Sequence, residues 1–127
     1  MRELEFSPSC AGAKPEEAID IIGSLGFDGI ELIANSRNDV QEYWTDDTIS
    51  RVKKQLEQNR LMVPQFSMFQ PVVEGLTSRD PEERKRSIDY FEAGCRIAAK
   101  LGAPMVNIVA PRARELRAST EYLPLTS

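Results

Sequence analysis

The reading of the fold turns on residues 15–33: Pro15-Glu16-Glu17-Ala18-Ile19-Asp20-Ile21-Ile22-Gly23-Ser24-Leu25-Gly26-Phe27-Asp28-Gly29-Ile30-Glu31-Leu32-Ile33. The first part reads as a helix. Proline suits the first helical position, where its missing N–H costs nothing, and Glu16 and Glu17 favour the positive end of the helix dipole. Ala18, Ile21, Ile22 and Leu25 recur at i, i+3, i+4 and i+7, which predicts one buried stripe. Gly26 predicts a left-handed cap. Residues 28–33 then read as a strand. The stretch is one helix, one short connection and one strand.

The same unit extends in both directions. Upstream, Leu4-Glu5-Phe6-Ser7 alternates as a short strand stopped by Pro8. Downstream, residues 35–44 are polar and aromatic and read as a loop. Thr45 then caps a helix with Asp46 and Asp47 in its first turn; Ile49, Val52 and Leu56 trace its inner edge, and Asn59 is the expected C-terminal cap. Residues 61–69 read as a third strand with Pro64 near its start, and 70–79 as loop. Asp80-Pro81-Glu82-Glu83 supplies a cap residue, a proline at the first position and a glutamate to complete a capping box. Ile88, Phe91, Cys95 and Ala98 are the expected buried side, and Leu101-Gly102 closes the helix. Residues 104–109 read as a fourth strand, and 111–127 as a long loop. Leu25-Gly26-x-x-x-Ile30-Glu31-Leu32 returns as Leu101-Gly102-x-x-x-Val106-Asn107-Ile108. Four strands alternating with three helices imply parallel βαβ units.

Composition narrows the function. At 127 residues the chain is one domain's worth of material, and 41% hydrophobic with 28% charged residues excludes a disordered class. Sixteen basic against twenty acidic residues, a net charge of −4, argue against nucleic acid as a partner. The absence of histidine removes Ser-His-Asp and Cys-His nucleophile systems and the HExxH metal site. Cys10 and Cys95 lack metal-ligand spacing and are too few for a disulfide scaffold. The start shows no signal-peptide pattern, and no stretch approaches the roughly 20 apolar residues of a membrane span. No membrane association and a cytoplasmic, reducing setting are expected.

Strand side chains alternate between faces. Leu4 and Phe6, Ile30 and Leu32, Met62, Phe66 and Met68, and Val106 and Ile108 fall on greasy faces. Glu5 and Ser7, Glu31, Gln65 and Ser67, and Asn107 fall on the opposite ones. An open sheet wound on both sides is apolar on both faces. A closed parallel barrel keeps its helices outside and tolerates polar groups in its upper interior, where a ligand binds at the C-terminal mouth. The recurrent polar face therefore favours a TIM-barrel type α/β fold. A full eightfold barrel takes about 250 residues, so residues 1–127 are read as its N-terminal half, ending in the loop after strand four. The missing C-terminal half, or a second copy of the chain, is then needed to close it.

Two segments carry a family resemblance. Residues 15–22 with 25–32, and Ile97-Ala98-Ala99-Lys100-Leu101-Gly102-Ala103-Pro104 followed by Val106-Asn107-Ile108, resemble the xylose isomerase-like TIM barrels, the sugar phosphate isomerase/epimerase superfamily. The resemblance covers nearly all of residues 1–110. It departs at Asn59-Arg60-Leu61, where the family usually has glycine in the middle position. It implies a divalent-metal-dependent isomerase or epimerase (Mn, Mg, Co or Zn) that moves a proton of a sugar or related polyol through an enediolate. The family's ligands, two glutamates, an aspartate and a histidine, sit on later strands, so no catalytic or metal residue carries over. Residues 1–127 alone are expected to bind no metal and to be inactive. The apurinic endonuclease branch places histidines at the ends of strands three and four; Ser67-Met68-Phe69-Gln70 and Val109-Ala110-Pro111-Arg112 offer none, so that branch is disfavoured.

Candidate ligands for a carbohydrate substrate follow from the polar face and the loops at its mouth. Glu31 reads as a hydroxyl ligand or as a structural carboxylate satisfied by its neighbours. Gln65, Ser67 and Asn107 read as hydroxyl-binding groups or as satisfied interior residues. Tyr43, Trp44 and Phe69 follow strands two and three, where an aromatic stacks on a sugar or simply packs. Arg112, Arg114 and Arg117 read as an anion clamp or as a solvated tail. Nothing adjacent in sequence activates Cys10, and Lys14, Lys53, Lys54, Lys85 and Lys100 fall on or before helices, away from any strand end, so no Schiff-base lysine is indicated. Two other readings stand beside this one: a non-catalytic, self-associating half-barrel, and a flavodoxin-like binding domain.

Overall fold

The computed structural model describes the backbone of residues 3–6 and residues 14–109 in full. Four strands, β1 (Glu3–Phe6), β2 (Gly29–Ala34), β3 (Phe66–Met68) and β4 (Val106–Ile108), form one all-parallel sheet in the order β1-β2-β3-β4. The crossovers are α1 (Pro15–Ser24), α2 (Asp46–Gln58) and, between β3 and β4, a short α3 (Gln70–Val73) followed by α4 (Pro81–Leu101). Crossovers of one hand that always step in the same direction place every helix on the same face of the sheet. A flavodoxin-like chain reverses its strand order at a switch point and so covers both faces. The sequential order overturns that reading.

The helix-side core is the greasy strand face. Ile30, Leu32, Ala34, Phe66 and Met68 are fully buried and pack with Ile19 and Ile22 of α1, Ile49, Val52 and Leu56 of α2, and Ile97, Ala98 and Leu101 of α4. The ladder sets Leu32 beside Phe66, and Ala34 beside Met68. The caps match the residues that announce them: Pro15 opens α1, Thr45 Oγ1 accepts from Thr48 N, and Asp80 Oδ1 accepts from Glu82 N. Gly26 and Gly102 end α1 and α4 with positive φ, 83° and 77°.

Several local expectations need correction. In α1 the buried positions are Pro15, Ile19 and Ile22, while Ile21 and Leu25 are each 62% exposed. Apolar residues at 18, 19, 21, 22 and 25 allow two overlapping stripes, and the docking of α2 chooses between them. Gln55 Nε2 donates to Glu16 O and Asn59 Nδ2 to Asp20 Oδ1, which rotates Ile19 and Ile22 onto the sheet. In α4 the buried side carries Ser87, Gly94, Ile97, Ala98 and Leu101, and Ile88 is exposed. A Cβ at Gly94 would collide with the Met68 side chain, so α4 packs over Met68 here with no side chain of its own in the way. Glu83 is not used in a capping box; it pairs with Arg37 and Arg86.

Strand three is shorter than residues 61–69. Pro64 lacks the N–H that a ladder needs, so Met62 makes only an isolated bridge to Gly29. The break cancels the alternation: Met62 is exposed, and Val63 joins the core. Residues 70–79 hold α3 and a 3₁₀ turn (Glu74–Thr77) rather than loop alone, and residues 39–43 form a π-helical turn. Asn59 caps α2 as expected, at φ −95°, and the left-handed residue is the one after it, Arg60, φ 54°. That is the position where the family usually has glycine. Pro8, Cys10 and residues 111–127 lie outside the described residues.

Candidate functional site

The second face of the sheet is built from alternate residues of the same strands. The register pairs Glu5 with Glu31, Ile33 with Ser67, and Ser67 with Asn107. Ile33 is buried but stands apart from the helix-side cluster, as expected for the opposite face. On this face Ser67 Oγ donates to Glu31 Oε1 at 2.6 Å, across neighbouring strands. Gln65 Nε2 approaches Ser67 Oγ at 3.5 Å and completes a chain of amide, hydroxyl and carboxylate. Glu31 is 9% exposed and Ser67 1%. A carboxylate this deep requires hydrogen bonds, and a serine on the adjacent strand at the right register supplies one. Among the described residues the buried side-chain polar atom left without a hydrogen-bond partner is the Tyr43 hydroxyl, not an oxygen of Glu31.

Of the substrate-binding candidates, the structure thus brings together Glu31, Gln65 and Ser67. Asn107 sits level with Ser67 on β4 and is exposed. Phe69 lies at the C-terminal end of β3, half-buried, with its N–H bonded to Ala34 O at 3.0 Å. Trp44 belongs elsewhere. It is 3% exposed, lies in the helix-side core edge-to-face with Phe66 at 5.6 Å, and spends its only donor on Ile33 O at 3.1 Å. No ring face is left for a ligand, so packing explains Trp44. Tyr43 packs edge-on to it, and burial, then the negative charge of Glu16, pushes its phenol above the ordinary value. The lysines sit as expected: Lys14 caps α1, Lys53 and Lys54 lie on α2, and Lys85 and Lys100 on α4. Arg112, Arg114 and Arg117 lie outside the described residues.

Sequence reasoning missed the cluster that shapes the rim. Arg37, in the loop after β2, donates to Val72 O (3.3 Å), Glu83 Oε1 (2.9 Å) and Ser87 Oγ (3.0 Å), and its guanidinium lies 4.8 Å from the Tyr90 ring centre. Ser87 Oγ also accepts from Gly75 N at 2.9 Å. Hydrogen bonds from Arg86 and Arg37 hold the Glu83 carboxyl below its usual range. One arginine therefore ties the second and third βα connections to α4. Residues 35 to 50 positions apart in the chain leave no local signal of such a cluster. Asp39 Oδ2 accepts from Asn35 N at 2.8 Å and tightens the same loop. Clefts lined by Leu56, Leu61, Val63 and Leu101, and by Val40 and Tyr90, lie on the helix side and contain none of the polar-face residues.

Among the described residues there is no group of three or more His, Cys, Asp or Glu side chains able to hold a metal ion. One carboxylate, one hydroxyl and two amides do not fit a divalent centre. What they offer is acceptors and donors for hydroxyl groups. No helix of the described residues is long and apolar enough to cross a membrane. No curated protein matches the chain. The family model described as xylose isomerase-like TIM barrel matches residues 19–123 of the 127, from within α1 through β4 and beyond. With sequential parallel strands, helices on one face and polar side chains on the other, the chain belongs to the xylose isomerase-like TIM barrel family.

Proposed function

We propose that this chain is the N-terminal half of a cytoplasmic, divalent-metal-dependent isomerase or epimerase that transfers a proton of a sugar or polyol through an enediolate. The observation that carries the reading is the hydrogen-bonded Glu31–Ser67–Gln65 chain on the face turned away from the helices, in a chain of this family. On this reading the metal ligands and the proton-transfer groups come from other strands of the barrel; among the described residues no group of three or more His, Cys, Asp or Glu side chains could hold a metal. No metal-dependent step is assigned to this segment. Its own contribution is binding and orientation: a fixed carboxylate, a hydroxyl and an amide on a wall that the helices keep rigid.

The gene downstream of codon 127 is expected to encode about 150 further residues with Glu, Asp, His and Glu at strand ends. The protein carrying them is expected to exchange substrate carbon-bound hydrogen for deuterium in D₂O when manganese is present, read by NMR over ketoses and inositol derivatives. No exchange on any of them removes the reaction class.

A second reading, a non-catalytic half-barrel that self-associates, draws on the open margins. Met105 (57%), Ile108 (37%) and Val109 (38%) are exposed along β4, which pairs only with β3 among the described residues, and Ile21 and Leu25 are exposed on α1. A stop codon directly after Ser127, together with a dimer in sedimentation that neither needs nor binds metal, selects this reading.

A further inference from the structure

We infer that Arg37 is the clasp of the barrel's mouth on this side: it closes the connections after β2 and β3 onto α4 as one unit, and its release opens both together. This role follows from the fold and stands apart from the sugar reading. Both connections leave the C-terminal ends of their strands, the end at which a parallel barrel admits its ligand. From the first of them, Arg37 Nε donates to Val72 O of α3 (3.3 Å), and its Nη2 donates to Glu83 Oε1 (2.9 Å) and Ser87 Oγ (3.0 Å) of α4. Glu83, Ser87 and Tyr90 follow at i, i+4 and i+7, so they form one stripe along α4. The guanidinium lies on that stripe, 4.8 Å from the Tyr90 ring centre. Val72 N in turn donates to Phe69 O at 2.9 Å, and Phe69 N to Ala34 O at 3.0 Å. Arg37 is therefore a positioning residue, acting through Val72 on Phe69 at the end of β3. Gly75 completes the fit: its N–H donates to Ser87 Oγ at 2.9 Å, and a Cβ there would stand 2.5 Å from that oxygen.

Stability does not call for an arginine at this place. Its side chain is 23% exposed and that of Glu83 25%, so the pair has given up most of its water, and well-packed apolar residues of that size stabilise a fold as well. What a guanidinium adds is direction, a planar fork of donors that reaches two segments at once. The segment it holds needs such a partner. α3 and the 3₁₀ turn are four residues each, too short to persist without tertiary contacts. Beyond the buried Val72 and Val73 side chains, those contacts include Arg37 and Ser87.

The test is amide hydrogen exchange of the full 127-residue chain, with the single tryptophan, Trp44, as the monitor of the core. In Arg37→Ala the amides of Asn35 and Val40 in one connection, and of Val72, Gly75 and Ser78 in the other, should exchange roughly 10-fold faster. The amides of Ile30 and Phe66, bonded to Met62 O and Met105 O, should keep their rates, and Trp44 emission should stay where it is. Arg37→Lys keeps the charge but loses the fork, and should fall between the two. Ser87→Ala leaves Arg37 in place and should speed the same amides roughly 3-fold. Added to Arg37→Ala it should bring little more, because both undo one clasp. If Arg37→Ala does not fold, Arg37→Lys and Ser87→Ala carry the same comparison. The clasp is refuted if residues 72–78 keep their original rates, or if one connection is freed and not the other. It is equally refuted if Ile30 and Phe66 speed up as much as the rim while Trp44 becomes exposed, the mark of a plain loss of stability.

Discussion

The two faces of one sheet solve opposite problems with alternate residues of the same strands. Toward the helices, Ile30, Leu32, Ala34, Phe66 and Met68 are fully buried in an apolar cluster. Toward the other side, Glu31 (9% exposed) and Ser67 (1%) are also largely withdrawn from water but carry polar atoms, and a short hydrogen bond joins them. Burial alone does not separate the two faces. Their difference lies in what burial yields: transfer free energy and dispersion on one side, orientation of donors and acceptors on the other. A wall that is stable on its outer face can hold a carboxylate in a fixed place on its inner face. Mutations should therefore act unequally on the two sides.

The largest effect is expected at Phe66, which is fully buried and stacks edge-on with Trp44. Phe66→Ala should lower the unfolding free energy by about 3–5 kcal/mol in urea denaturation. A loss below about 1 kcal/mol would mean that the helix-side face is not the stabilising one. On the other face, Ser67→Ala should cost about 1–3 kcal/mol, because it leaves the Glu31 carboxylate without its partner. If Ser67→Ala equals Phe66→Ala in cost, the division of labour between the faces fails.

A position remote from both faces sharpens the contrast. Arg60 holds φ 54°, a left-handed conformation that disfavours any residue with a Cβ. Arg60→Gly should raise stability by about 1 kcal/mol, seen as a higher denaturation midpoint with unchanged slope. The smallest effect concerns acid. Glu83, held below its ordinary value by Arg86 and Arg37, contributes stability that is present above the unfolded-state value and is lost as the pH falls through the lower folded-state one. Arg37→Ala should move the Glu83 carboxyl ¹³C titration upward and flatten the acid side of the stability profile. A titration that stays put would take Arg37 out of the ion pair.

The alternation of strand two and of Phe66–Met68 was legible because it is local: within an unbroken strand residues two apart share a face, a rule that failed only before Pro64, at Met62 and Val63. That placed Glu31, and separately Gln65 with Ser67, on polar faces; the register of β2 with β3 brought them together. The helix stripes were not so legible. Ile21 and Leu25 look as buried in sequence as Ile19 and Ile22, and only the docking of α2 separates them. Ser87 and Gly94 carry no hydrophobic signal, yet they line the buried side of α4 because close approach there rewards small residues. The conformation of Arg60 was hidden because its side chain is ordinary; the family's glycine at that position was the one available hint. Trp44 misled for a related reason: an aromatic after a strand signals a ligand platform or a core plug equally well.

By itself the chain's order of residues determined parallel βα units, the turns that end α1 and α4, and which strand residues are polar together, since all of these follow from backbone geometry over a few neighbours. Tertiary structure alone decided that all helices lie on one side, that Ser67 gives its proton to Glu31, that Trp44 is sealed in the core, and that Arg37 ties the rim to α4. Those outcomes depend on contacts between residues 11 to 50 positions apart, and the free energy of such contacts exists only once the strands are in register.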